Sequence, residues 1–317
     1  MSLTSELVDE IRHYYTQKAE GHNDFPKFFV NNEHQAYMEG RLRGLILNTF
    51  PNLGKKLVEN FYAKAYSKVV YCEQAFIEKV LKQLLARGFQ RFFKTRYMVV
   101  GYDMYLRNSH LSPAAGIHFD LPNFNHFYET ENDLSIYIPL VDLDNENGGR
   151  LRALPECKLK VPGNVLLKLL YEYFSKDPNY LDENGYVDPQ KISQKAIDNF
   201  IKSRAHQNLM TLYKSVTDMA KQQYAKDFRM PEESKGRILL FNNKNFHAAE
   251  KWKNKNYDRE IYAVRMFPIY DVKIKLKKTL HGVPINNFLL DTKEGEVHRL
   301  DREIDFSCIP TEAKVRM

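Results

Sequence analysis

Apolar residues recur at three- and four-residue spacing through the first ninety positions of the chain. Ser5 to Ala19 and Asn32 to Leu47 carry that period, with Asn32 placed to cap the second stretch. Leu53 to Phe61 and Glu73 to Leu85 continue it, and Gly88 marks a stop. Ala63 to Tyr71 is ambiguous. The pattern predicts a mainly helical region over 1–92.

The period then shortens to two. Arg96 to Leu106 (RYMVVGYDMYL) alternates and is rich in β-formers, and Ser135 to Val141 (SIYIPLV) is a second strand. Asn145 to Gly149 (NENGG) reads as a turn. Leu151 to Leu154, Leu159 to Val161, Arg237 to Phe241, Glu260 to Phe267 and Val272 to Leu276 are further strands. Many short strands at uneven spacing indicate a barrel or a two-sheet sandwich.

A helical stretch over about 164–231 interrupts these strands. Val165 to Phe174 fits strand or helix. Pro189 to Ser203 reads as a helix with Asp188 as its N-cap and Pro189 in its first turn, and Asn208 to Phe228 as a longer amphipathic one. Such an insertion covers a sheet face or forms a lid. The tail after Asp291 is charged and matches no period.

Composition narrows the class. With 317 residues, 43% hydrophobic and 27% charged, the chain is long and apolar enough for a sizeable globular core. It has no run of about 18 uncharged apolar residues, so no membrane-spanning helix is expected. Met1 to Glu10 carries acids and lacks the apolar run of a secretory signal. Cys72, Cys157 and Cys308 are far apart and form no C-x-x-C pair, which argues against a disulfide framework or a zinc knuckle and fits a cytoplasmic protein. A net charge of +7 spread along the chain reads first as a solvated lysine-rich surface, with an anionic or zwitterionic substrate as the second reading. No basic block with interleaved aromatics marks a nucleic-acid surface. The sequence sets no oligomeric state.

Candidate chemistry lies in the histidines. His118-Phe119-Asp120 places an imidazole and a carboxylate on one side of an extended segment, where both can reach one ion. His22-Asn23-Asp24 has the same form but sits in a polar linker with no strand beside it. His126 and His110 read as loop residues. His247 follows a strand, Gly236 onward, that ends in a polar turn. Two histidines and one carboxylate form the facial triad of non-haem iron(II) oxygenases, which leaves coordination positions for a bidentate 2-oxo acid and O2.

The order of these elements from His118 to Phe267 resembles the phytanoyl-CoA dioxygenase (PhyH-like) branch of the iron(II)/2-oxoglutarate oxygenases. Asn147 to Pro155 (NGGRLRALP) is similar to the turn and Pro-containing segment of that branch, and Gly236 to His247 to its late strand, with Arg237 where the branch has an acid. The branch also carries an Arg about eleven residues beyond the second His. Here Arg259 lies twelve residues on and Arg265 eighteen.

The resemblance implies an α+β fold: a double-stranded β-helix (jelly-roll, cupin-like) core over 93–163 and 232–280. Helical support over 1–92, the insertion over 164–231 and an extension over 281–317 complete a single oxygenase domain. It implies Fe(II) held by His118, Asp120 and His247, with 2-oxoglutarate and O2 as co-substrates. It places Arg259 on the far carboxylate of 2-oxoglutarate, with Arg265 as the rival, because both share one parity. Asn108, Ser135 and Tyr137 would line the same cofactor site. Arg107, Phe124, Asn125 and Arg152 are substrate contacts by proximity. Related halogenases have Ala or Gly where this chain has Asp120, so a small-molecule hydroxylation is expected, releasing succinate and CO2. Two other readings stay open: a cupin-like zinc or manganese hydrolase or isomerase using the same three residues, and a non-catalytic interaction module.

Overall fold

The computed structural model describes residues 1–21, 67–71, 73–93, 95–112, 114, 116–120, 133–159, 172–181, 183, 187, 191–231, 234–242, 244–268 and 288–299. Helix α1 spans Ser5–Gly21. Thr4 starts it, with its hydroxyl accepting from the Leu7 amide. Leu7, Val8, Ile11, Tyr15 and Ala19 form one buried stripe along it.

Strand β1 (Ser67–Tyr71) takes up the described part of the ambiguous segment. Helix α2 is Ile77–Leu85, four residues shorter than the apolar spacing predicts. Gln74 breaks the start: it has φ of +60° and turns its amide onto the Asp103 carboxylate. Gly88, at φ +76°, ends the turn after α2 as expected.

The strands that follow are β2 (Tyr97–Asn108), β3 (Leu134–Pro139), β4 (Leu151–Ala153), β5 (Leu239–Phe241), β6 (His247–Ala249) and β7 (Arg259–Pro268). Strands β8 (Phe288–Asp291) and β9 (Glu296–Arg299) make a hairpin in the tail, which the periodicity did not reveal. That hairpin is joined through Gly295, and only its first strand is buried, so its charged half obscures the alternation. Leu159 lies outside any strand, and Val272 to Leu276, Asn32 to Leu47 and Leu53 to Phe61 fall outside the described residues.

The insertion contributes α3 (Gln194–Lys202) and α4 (Arg204–Gln223). Ser193 caps α3, while Asp188 and Pro189 lie outside the described residues, and Ser203 caps α4, which begins at Arg204, four residues before the expected start. A serine hydroxyl that accepts from the third residue on satisfies an amide left open by the first turn. The helix ends at Gln223, short of Phe228. No helix among the described residues is long and apolar enough to cross a membrane.

Helix and antiparallel sheet are thus mixed. One sheet runs β5-β3-β7-β2-β8-β9, with β1 also on β2, and a second pairs β4 with β6. Strand β7 is central, flanked by β2 and β3. Its even residues from Glu260 to Met266 face the helices, and its odd residues from Arg259 to Arg265 face the other way. The register of β2 slips between Val100 and Tyr102. That bulge swaps parity: Met98 and Val100 face the helices before it, and Asp103 and Tyr105 after it.

Two buried carboxylates fasten α1 to this sheet. Asp103 accepts from Tyr15 at 2.7 Å and from Tyr262 at 3.1 Å. Glu260 accepts from Arg12, Thr16 and Tyr105. Burial and the adjacent Asp103 push the hydroxyls of Tyr15 and Tyr262 far up, so both stay protonated donors. Replacing Tyr15 by Phe leaves Asp103 short of one donor. We expect Tyr15→Phe to lower the unfolding free energy by about 1–3 kcal/mol in urea titration. An unchanged midpoint would show that this bond contributes nothing.

Candidate metal centre

His118 and His247 come together through the backbone. The two residues bridge as an antiparallel pair, with N–O distances of 3.0 and 2.7 Å. Their rings lie 4.4 Å apart. His247 follows β5 and its polar turn, and it opens the short strand β6. Asp120 lies two residues past His118 and turns to the same side. Its Oδ1 is 3.9 Å from His118 Nε2, and its Oδ2 is 3.7 Å from His247 Nε2.

The intervening residues show why the ligands converge. Phe119, between His118 and Asp120, points the opposite way into a second apolar core. There it meets the ring of Phe246, which precedes His247, at 4.9 Å, and that of Tyr213 on α4 at 4.7 Å. The two ligand-bearing segments are therefore held by their phenylalanines on one side, and the insertion packs against that clasp.

Each imidazole is oriented by a carbonyl two residues earlier. Nδ1 of His118 lies 2.6 Å from the Gly116 oxygen, and Nδ1 of His247 lies 2.9 Å from the Asn245 oxygen. An Nδ1–H donated to a carbonyl leaves the Nε2 lone pair for a metal. Burial holds the His247 pKa below the usual histidine range against the pull of Asp120. Burial would raise the Asp120 pKa, but Arg265 and the two histidines outweigh it and hold the carboxyl well below its ordinary value.

This donor set fits a divalent ion. The three ligand atoms all lie within 4.8 Å of one another. Asp120 Oδ2 is buried and ion-paired with Arg265 Nη1 at 2.6 Å. Two imidazoles and one carboxylate, with no thiolate in the group, suit iron(II), manganese or zinc.

The triad opens on a cavity of about 370 Å³. Asn108, Ser135, Tyr137, Arg259 and Arg265 line it with the three ligands, and Leu151, Phe241 and Trp252 supply apolar wall. Arg259 is only 4% exposed. Its Nε donates to the Gly149 carbonyl at 2.7 Å, Nη1 to Asn108 Oδ1 at 3.2 Å and Nη2 to the Tyr137 hydroxyl at 2.5 Å. All three acceptors are neutral. Arg265 differs, because it is paired with Asp120 and lies 3.5 Å from Ser135 Oγ.

Two of the sequence candidates lie elsewhere. Arg107 sits on the helix-facing side of β2, ion-paired with Asp258 at 2.6 Å, because its parity is opposite to that of Asn108. Arg152 stacks on Phe228 and is not in the cavity wall. Phe124, Asn125, His126 and the His22 pair fall outside the described residues.

Sequence reasoning passed over Gly149, Trp252 and Ala263. Gly149 has φ of +74°, and a Cβ there would meet Arg259 Cδ and Trp252 Cε3, both at 2.8 Å. The doubled glycine and the single tryptophan were the available signals. Ala263 left none, since its value is the space it does not fill. If Arg259 is the anchor that the resemblance implies, Gly149→Ala should displace it and weaken 2-oxoglutarate binding at least tenfold, a loss of about 1.4 kcal/mol. Manganese(II) affinity, measured by calorimetry, should stay within twofold, and unchanged 2-oxoglutarate affinity would contradict the close packing of Gly149 on Arg259 as a requirement for binding.

No protein-family model matches the chain, and no curated protein matches it. Solved structures show low similarity. The non-heme α-ketoglutarate-dependent carbocyclase SnoK of nogalamycin biosynthesis aligns at 13% identity and a TM-score of 0.37, over 63% of each chain. HygX from Streptomyces hygroscopicus, with nickel and 2-oxoglutarate bound, aligns at 10% identity and a TM-score of 0.41, over 84% of this chain and 80% of that one. The epimerase SnoN, also of nogalamycin biosynthesis, aligns at 10% identity and a TM-score of 0.35, over 64% of this chain and 61% of that one. The chain thus spans less than two thirds of SnoK and of SnoN.

Proposed function

We propose that this chain is an iron(II)- and 2-oxoglutarate-dependent oxygenase of the PhyH-like type that hydroxylates an unactivated C–H bond of a small molecule. His118, Asp120 and His247 hold the iron, and Arg259 holds the far carboxylate of 2-oxoglutarate. The fold this reading assigns is a double-stranded β-helix, with the helices around it forming one domain.

One observation carries the reading. A buried guanidinium, bonded only to neutral acceptors among the described residues, lines the same cavity as the three metal ligands. A buried cation without a counter-ion is costly, and a bidentate carboxylate is the anion whose shape fits the guanidinium fork. The cavity is at the small end of ligand pockets, which suits a short diacid. A hydrolase using the same triad needs no such anion and leaves Arg259 uncompensated, so the observation favours the oxygenase.

The protein groups then have separate roles. Gly149, Asn108 and Tyr137 fix the plane of the Arg259 guanidinium from three sides. Ala263, between the two arginines on β7, leaves the floor open for the carbon chain of the diacid. Leu151, Phe241 and Trp252 keep water from the space above it. Iron, when bound, supplies the site where 2-oxoglutarate and O2 react, yielding succinate, CO2 and the oxidising power for the substrate. Asp120 fills the position that a halide would need, so oxygen transfer is the outcome this reading assigns.

Manganese(II) with 2-oxoglutarate should raise the melting temperature more than either alone. His118→Ala should abolish iron-dependent succinate formation. Arg259→Met should weaken 2-oxoglutarate binding about 100-fold, or about 2.7 kcal/mol, while the manganese-induced shift persists. Full succinate formation in His118→Ala would end the oxygenase reading.

A further inference from the structure

We propose that Arg265 is a positioning residue that limits Asp120 to one coordination position on the metal. The inference rests on the iron/2-oxoglutarate reading above and deepens it. Arg265 Nη1 lies 2.6 Å from Asp120 Oδ2. The guanidinium is itself seated, 3.5 Å from Ser135 Oγ and with its carbon centre 5.6 Å from the centre of the Tyr102 ring. Ser135 and Tyr102 are the β3 and β2 neighbours of Arg265 in the sheet register. The arginine is therefore fixed by the scaffold, and the carboxylate is fixed by the arginine.

The consequence follows from counting positions. A six-coordinate ion with two imidazoles and one carboxylate oxygen keeps three sites. A bidentate 2-oxo acid takes two of them, and one is left for O2. A carboxylate that binds through both oxygens closes that last site or expels one arm of the 2-oxo acid. A cation pressed against Oδ2 holds that oxygen back and presents Oδ1, which also faces His118 at 3.9 Å. Arg265 is then unfavourable for bare metal affinity, because it opposes the ion for the same carboxylate. It favours the later chelation of the 2-oxo acid.

That opposition gives a sign that a merely structural arginine would not produce. In R265M, calorimetry should show manganese(II) binding about tenfold tighter than in the wild type, as a repelling charge is removed. The same variant, loaded anaerobically with iron(II), should bind 2-oxoglutarate at least tenfold more weakly and lose most of the visible absorption of the iron–2-oxo acid chelate. R265K keeps a donor cation without the fork and should restore the chelate to within about tenfold of wild type. If R265M does not fold, R265K decides: manganese affinity equal to wild type with an intermediate chelate band supports the role. Weaker or unchanged manganese binding in R265M, or a full chelate band in it, overturns the proposal while leaving the oxygenase reading intact. Failure of the wild-type protein to bind manganese at all would overturn both.

Discussion

The two-residue period of β7 constrains everything around it. Each step along this strand sends a side chain either to helix α1 or to the cavity, so the two faces cannot be shifted independently. Glu260 accepts from Thr16 of α1, and Tyr262 donates to Asp103, which also accepts from Tyr15 of α1; these bonds set the direction of Arg259, Ala263 and Arg265. A one-residue slip of β7 would bury arginines under the helix and turn the carboxylate into the cavity. Strand β2 meets the same constraint by a bulge at Gly101, which lets Asp103 and Tyr105 serve the helix while Asn108 serves the site.

The two arginines divide the cavity between them. Six residues apart on one strand, their Cα atoms are separated by about 20 Å. Arg265 meets the ligand carboxylate at one end, and Arg259 meets only neutral oxygens at the other. That asymmetry is why the proposed reading takes Arg259 over Arg265 as the 2-oxoglutarate anchor: one cation already has an anion, and the other meets only neutral oxygens among the described residues. The doubled glycine before β4 belongs to the same arrangement, since its close approach brings a carbonyl onto Arg259 Nε.

Long periodic elements were legible from the residues alone. The α1 stripe, the alternation of β2 and β7 and the turn at Asn145 to Gly149 follow from apolar spacing and turn chemistry. Boundaries were less so, because capping serines such as Ser193 and Ser203 look like any polar residue until a free amide is next to them. At the site, His118, Asp120 and His247 could be selected by type and order, and the structure brings them together. The face of Arg107 could not be judged, because its neighbour Asn108 has the better claim only once the bulge has fixed the parity of β2. The contact of Arg265 with Asp120 is likewise invisible in sequence, since it spans 145 residues and depends on which strand pairs with which.

The central claim is that one cavity holds a metal at the triad and a diacid spanning from it to Arg259. A crystal structure of the protein grown anaerobically with manganese(II) and 2-oxoglutarate tests it most directly. The account predicts one ion on His118, Asp120 and His247, with the 2-oxo acid chelated to it and the far carboxylate in a fork with Arg259. A diacid seated on Arg265, or a metal at the triad with no diacid reaching Arg259, would contradict it.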